Sequence, residues 1–420
     1  MASLLWTLAT LGAALVPPAN AGRPQDSGEY IGQKPLLQMD CLPGPLTHDA
    51  YLPSCLSMTS NANRTTPSSP WTHAPYCAGA SHYCVHTSND LYGPDRGVSI
   101  IDGGTSKDEK SPAVLAAERI AAADAATLTV RKEPAPPPWE VRNIPGKGKG
   151  MVATRKILRG QVFMVDRAAV VADMNFPQRM ESADGRAMLH EAFHRHPAAE
   201  QLLTLARSSL DPENVPAPED IMRTNSFTLE IGGKSYMILF PRIARINHAC
   251  RPSALTRFNE TDFSNTVTAF HDILPGEEIS ISYSSFGLTS EQRQKTLLSK
   301  WGFDCTCSLC TSPPAELTAS DARRTKIQQL GGKAIKLVEQ GTSSNDKEVA
   351  KKKLRRAAEV YAELVETVEE EALVPHMGDH YEALGRLVAV AGDLEKGKEW
   401  LRRGKQEREE YEKAGKEDEL

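Results

Sequence analysis

Apolar positions along the 420-residue chain follow different rhythms in different regions. From residue 312 onward Leu and Ala recur three and four apart in KAIKLVEQ, AAEVYAELVETV and YEALGRLVAVAGDLEKGKEWLRRG. That spacing predicts amphipathic helices with charged outer faces. Between Asn225 and Tyr283 the period shortens toward two, and SYMILF, NTVTAF and EISISY read as strands separated by Gly and Pro turns. WEVRNIPGKGKGMVATRKILRGQVFMVD predicts two further short strands around a glycine-rich turn. The alanine-rich Ser111 to Arg131 predicts one amphipathic helix, and MLHEAFHRHPAAEQLLTLA within 178–210 a helical insertion. EPAPPP at Glu133 to Pro138 is a stiff linker. The chain is therefore expected to be α+β, with room for two or three domains.

Composition narrows the class. A formal net charge of -5 gives no global reason to expect nucleic-acid binding. The only long apolar run, Leu4 to Val16, is too short to span a bilayer. Pro17 and Pro18 break it, and Ala19-Asn20-Ala21 fits a small-x-small cleavage rule, so residues 1–21 are expected to be a secretory signal peptide; an N-terminal helix is the alternative, since the segment before the run lacks Lys and Arg. Asn63-Arg64-Thr65 and Asn259-Glu260-Thr261 are glycosylation sequons. The final Glu417-Asp418-Glu419-Leu420 resembles a Lys-Asp-Glu-Leu retrieval signal with Glu for Lys, although a Glu- and Lys-rich tail also yields such an ending by chance.

The eight cysteines fall into two groups. Cys41, Cys55, Cys77 and Cys84 lie in a Pro-, Ser- and Gly-rich stretch, residues 22–110, with few apolar runs. An even count after a leader predicts two disulfides with three possible connectivities. A metal site is the other reading, because His82 and His86 flank Cys84. In the second half, Cys305, Cys307 and Cys310 form a Cys-x-Cys-x-x-Cys that can wrap one metal ion, and Cys250 is the only further cysteine there. Four thiolates would make a closed, structural zinc site; four buried free thiols are the plain alternative. His190, His194 and His196 read as solvated or packed histidines rather than ligands.

Cys250 sits in an Asn-His-x-Cys-x-Pro turn, Asn247 to Pro252. Pro-Gly-Glu-Glu and an alternating strand ending at Tyr283 follow. Together with Gly-x-Gly at Gly146, Gly148 and Gly150 and the Cys-x-Cys-x-x-Cys, these motifs occur in the order of the SET-domain protein lysine methyltransferases, which residues 139–311 resemble. Asn225-Ser226-Phe227-Thr228 before the Asn-His turn makes the likeness strongest to SMYD-type and related fungal proteins. Ala249 stands where Ser is usual and Ser253 where Asn is usual, and the MYND finger is absent.

The resemblance implies a SET-type β fold with a helical insertion, S-adenosylmethionine as cofactor and a structural Zn²⁺ on Cys250, Cys305, Cys307 and Cys310. It implies Lys147, Gly148, Lys149, Asn225, Asn247, His248, Tyr283 and Phe303 as cofactor-binding residues, and Tyr283 as the catalytic one. Asn247 and His248 would act through a turn threaded under a neighbouring loop, an exception to unknotted connection rules, and Phe303 would cover the adenine. It also implies a tetratricopeptide-like C-terminal lobe, for which a plain helical bundle is the alternative. The expected division is 1–21 leader, 22–110 cysteine-containing loops, 111–138 helix and linker, 139–311 SET domain with its zinc segment, and 312–420 helical lobe. Expected partners are a protein substrate presenting a lysine and proteins bound by the lobe, with no direct nucleic-acid binding and no transmembrane segment. The competing readings of function are a SET scaffold without turnover and a secreted cysteine-rich protein with a vestigial SET domain. Compartment is divided: the leader, sequons and ending point to the secretory pathway, the family to nucleus or cytoplasm.

Overall fold

A computed structural model describes residues 69–78, 82–103, 110–123, 134–179, 181–209, 211–374 and 377–414. The leader, Cys41, Cys55, Asn63 and the Glu417–Leu420 ending lie outside them. The strands are β1 (Tyr76–Cys77), β2 (Tyr83–Ser88), β3 (Val98–Gly103), β4 (Trp139–Ile144), β5 (Gly148–Ala153), β6 (Val162–Arg167), β7 (Val170–Asp173), β8 (Phe227–Ile231), β9 (Lys234–Leu239), β10 (Asn247–His248), β11 (Ala254–Asn259), β12 (Ser264–Ala269) and β13 (Glu278–Ile281). The helices are α1 (Pro112–Ala122), α2 (Ser182–His194), α3 (Ala199–Leu202), α4 (Ala217–Asn225), α5 (Ser290–Trp301), α6 (Pro314–Thr342), α7 (Lys347–Glu371), α8 (Gly378–Val390) and α9 (Leu394–Ala414).

Among the described residues three sheets form, in strand orders β1-β2-β3-β7-β9-β8, β10-β13-β5-β4 and β11-β12-β6. The six-stranded sheet is covered on both faces, which is why β9 reads as a continuous apolar run rather than an alternation. Tyr236 and Ile238 face one core with Val98, Ile100 and Phe227. Met237 and Leu239 face another with Ile101, Val170 and residues of α2 and α4.

Residues 76–78 and 82–103 differ from the loop-rich reading. They supply half of that sheet, and Val85, Val98, Ile100 and Ile101 are fully buried. The Val98-Ser-Ile-Ile run carried the signal, but it pairs with β7, distant in sequence, in parallel register. A buried polar lock reinforces the join: Lys234 Nζ lies 2.5 Å from Asp102 and 2.9 Å from Asp173, while Tyr236 and Tyr83 donate to the same two carboxylates at 2.7 Å. Cys77 and Cys84 are cross-strand neighbours on β1 and β2 and form a disulfide, which leaves Cys84 no thiol for a metal. His196 is packed, its Nε2 2.9 Å from the Gly97 carbonyl.

The predicted alanine-rich helix is shorter than read. Ser111 caps α1 by accepting from the Val114 N–H, and the helix ends at Ala122, with residues 124–133 outside the described residues. The C-terminal helices pack in consecutive antiparallel pairs around their own core of Leu, Val and Ala. Gly385 and Gly397 let α8 and α9 approach closely: a Cβ on Gly385 would lie 2.8 Å from the Gly397 carbonyl oxygen. Among the described residues no helix is long and apolar enough to cross a membrane.

Candidate active site and metal centre

The glycine-rich turn between β4 and β5 needs two left-handed residues, Gly146 (φ 73°) and Gly148 (φ 70°). Gly150 answers a different need. A Cβ there would lie 2.5 Å from Asn247 Nδ2, so only glycine admits the Asn247 side chain across the strand. Asn247 Nδ2 donates to Glu278 Oε1 at 2.9 Å, and Lys147 Nζ reaches Glu278 Oε2 at 2.6 Å. Glu278 thus ties the turn to the Asn-His strand. Sequence reasoning used the Gly-Glu-Glu only as a motif and gave this carboxylate no task. Lys149 is exposed on β5, opposite Asn143.

β10 lies parallel to β13, which brings Asn247-His248 beside the strand that leads into Tyr283. His248 is buried and bonded on both ring nitrogens. Nδ1 accepts the Tyr283 backbone N–H at 2.8 Å, and Nε2 lies 3.4 Å from Cys250 Sγ. Accepting at Nδ1 places the proton of the neutral ring on Nε2, directed at sulfur. Burial pushes the imidazole pKa down to about 3, so the ring is neutral at physiological pH. The Tyr283 hydroxyl donates to the Ile246 carbonyl at 2.6 Å, and burial, with Glu278 nearby, raises its pKa. Tyr283 is therefore a protonated phenol.

The Cys250, Cys305, Cys307 and Cys310 sulfurs all lie within 4.8 Å of one another. Cys250 Sγ is 3.9 Å from Cys305 Sγ and 3.6 Å from Cys310 Sγ. A tetrahedron of Zn–S bonds of about 2.3 Å has edges of about 3.8 Å, so the donor set and its spacing fit zinc.

Around Tyr283 the rings cluster. Trp301 lies 5.3 Å from Tyr283 centroid to centroid, His248 5.3 Å from Tyr283, and half-buried Phe303 6.3 Å from His248. Trp301 Nε1 donates to the Thr224 carbonyl at 3.0 Å. It was not singled out from sequence, though it opens the segment that carries Phe303. Asn225 ends α4, buried, its Nδ2 donating to Ala206 O at 2.8 Å and Ile221 O at 2.9 Å. Asp220, also buried, accepts from the Ser208 and Ser209 N–H groups and from Arg207 and Arg223, and so fixes the loop that Asn225 touches.

Residues 148–284 match the family model described as SET domain. The chain is similar to histone-lysine N-methyltransferase set5 of Schizosaccharomyces pombe, 29% identical over 191 residues covering 45% of this chain and 56% of the relative. It is also similar to N-lysine methyltransferase SMYD2-B of Danio rerio, 28% identical over 40% of this chain and 36% of the relative. To histone-lysine N-methyltransferase SMYD3 of Homo sapiens it is 36% identical over 20% of each chain. The matches thus span about half or less of these relatives. The fold of this region is a SET-domain fold, and residues 148–284 are similar to the SET domains of protein lysine methyltransferases.

Proposed function

We propose that the protein is an S-adenosylmethionine-dependent protein lysine N-methyltransferase. The observation that carries the reading is the buried, protonated Tyr283, held at its backbone by His248 and at its hydroxyl by the Ile246 carbonyl, at the end of a strand that shares its sheet with the glycine turn. The cofactor, when bound, supplies a methyl group on a sulfonium to an incoming amine. The chain has to orient a neutral lysine amine for in-line attack and keep water out, and orientation alone can contribute several kcal/mol. Burial and a neighbouring positive charge both favour the neutral amine. Tyr283 orients the amine with its hydroxyl, and nearby carbonyls such as Ile246 accept weak C–H···O contacts from the methyl. Gly148, Lys147, Asn247 and Asn225 line the cofactor, and Phe303 covers its adenine. Gly146 and Gly148, where a Cβ would meet nothing within 4 Å, and the half-buried Phe303 suit such a ligand.

We also propose that zinc on the four cysteines pins the Phe303 segment over the cleft, and that the helical lobe contacts protein partners. A Cys77–Cys84 disulfide and an exposed Asn259 sequon support folding in the secretory pathway. Calorimetric titration of the purified chain with S-adenosylmethionine tests the reading: saturable binding at one site supports it, and its absence in folded, zinc-loaded protein removes it.

A further inference from the structure

Two guanidinium groups on the helices that flank the Cys305–Cys310 segment are almost wholly buried, with side-chain exposures of 1% for both Arg293 and Arg324. Arg324, on α6, donates from Nη2 to the Cys250 carbonyl at 2.9 Å, from Nη1 to the Phe286 carbonyl at 3.0 Å and from Nε to Glu371 at 2.9 Å. Arg293, on α5, donates from Nη1 to the Leu288 carbonyl and stands 3.5 Å from Asp321. Its Nε and Nη2 are buried and have no hydrogen-bond partner among the described residues. Its neighbour Gln294 grips the Cys305 backbone from both sides, accepting from N–H at 2.7 Å and donating to C=O at 2.8 Å.

Among the described residues the carboxylates nearby do not balance these charges. Glu371 is buried but shared: it accepts from Ser320, from Arg323 at 2.8 Å and from Arg324. Asp321 is partly exposed and also accepts from Ser290. A surplus of buried positive charge is costly unless an anion sits close to it. Zinc held by four thiolates carries a net double negative charge, which is equally costly to bury alone.

We propose that Arg293 and Arg324 are the counter-cations of this metal centre, so that α5 and the C-terminal helices complete a site whose ligands all lie before them or between them. The inference rests on the zinc reading above. The two arginines touch no substrate and act as positioning residues, Arg324 by fixing the Cys250 backbone and both by offsetting the charge of the thiolates. Shell residues of this kind typically change metal affinity by about 10–100-fold when removed.

The test uses the full chain purified with zinc. Zinc release to a chromogenic chelator is followed for the parent protein, Arg293→Met, Arg293→Lys and Arg324→Lys, together with the melting temperature of each before and after zinc stripping. Arg293→Met is expected to release zinc about 10-fold faster or more, and to narrow the melting-temperature gap between loaded and stripped forms. Arg293→Lys, which keeps the charge, is expected to stay much nearer the parent, whereas Arg324→Lys keeps the charge but loses the fork on the Cys250 and Phe286 carbonyls and is expected to release zinc faster than Arg293→Lys. A merely packing role would lower both melting temperatures together and make Lys as damaging as Met at position 293; that result, or unchanged release from Arg293→Met, overturns the proposal. Parent protein that holds no zinc overturns the zinc reading itself, a separate and visible failure.

Discussion

The backbone N–H of Tyr283 donates to Nδ1 of His248 across 2.8 Å, and the far side of the same ring faces Cys250 Sγ at 3.4 Å. One neutral imidazole therefore connects the proposed catalytic tyrosine to the cysteine cluster. His248→Leu keeps bulk but removes both bonds and leaves the Tyr283 N–H buried without an acceptor. The expected cost is about 1–3 kcal/mol of stability, with methyl transfer lost and zinc content kept. Metal analysis and turnover measured on the same preparation check this; wild-type turnover would free the ring of any positioning role.

Glu278 holds Lys147 and Asn247 together from one carboxylate. Glu278→Ala is expected to loosen the glycine turn and weaken S-adenosylmethionine binding by roughly ten-fold, a loss of about 1.4 kcal/mol, while leaving the zinc site intact. Its ion pair is partly exposed, so little global stability rides on it. Titration calorimetry reads the affinity directly.

Asp220 has a pH signature. Burial acts to raise its pKa, but hydrogen bonds from Arg223 and the Ser208 N–H outweigh it and the carboxyl sits below its ordinary value. A group with a depressed folded pKa contributes stability above its unfolded pKa of about 3.9, and that contribution is lost as pH falls through the folded value. Melting temperature should therefore drop as pH falls below about 4, and Asp220→Asn should be destabilised at neutral pH and show a shallower acid slope. An identical slope in the variant would assign the acid sensitivity elsewhere.

Cys77–Cys84 closes a short loop at the edge of the six-stranded sheet. Cys77→Ser is expected to cost roughly 2–3 kcal/mol and to leave cofactor affinity unchanged, because the bond joins β1 and β2, in a different sheet from the glycine turn and the strand that leads into Tyr283. Chemical denaturation with parallel calorimetry distinguishes this from a general collapse, in which both would fall.

Much of the site was legible because its parts are local. The Asn-His turn, the strand into Tyr283 and the Cys-x-Cys-x-x-Cys each declare themselves within a few residues, and the four cysteines do converge. What escaped sequence reasoning depends on contacts between distant segments. Val98 to Gly103 holds one short apolar run in a loop-rich stretch, and its place inside a sheet shows only once β7 lies beside it. Glu278 looks like one of two equivalent acids in Gly-Glu-Glu, yet only it faces Asn247; Glu277 instead accepts the Leu274 N–H within its own turn. Arg293 and Arg324 sit in charged helical stretches where a solvated face is the ordinary expectation, and only packing against the Cys250 turn buries them.

The central claim is methyl transfer to lysine with Tyr283 orienting the amine, and turnover on a lysine-containing peptide library with labelled S-adenosylmethionine tests it most directly. The parent chain is expected to place label on lysine nitrogen. Tyr283→Phe is expected to lower transfer by orders of magnitude while its cofactor affinity stays within a few fold, a loss in transition-state geometry rather than in binding. Label transferred equally well by Tyr283→Phe, or none transferred by a folded parent that binds the cofactor, would contradict the account.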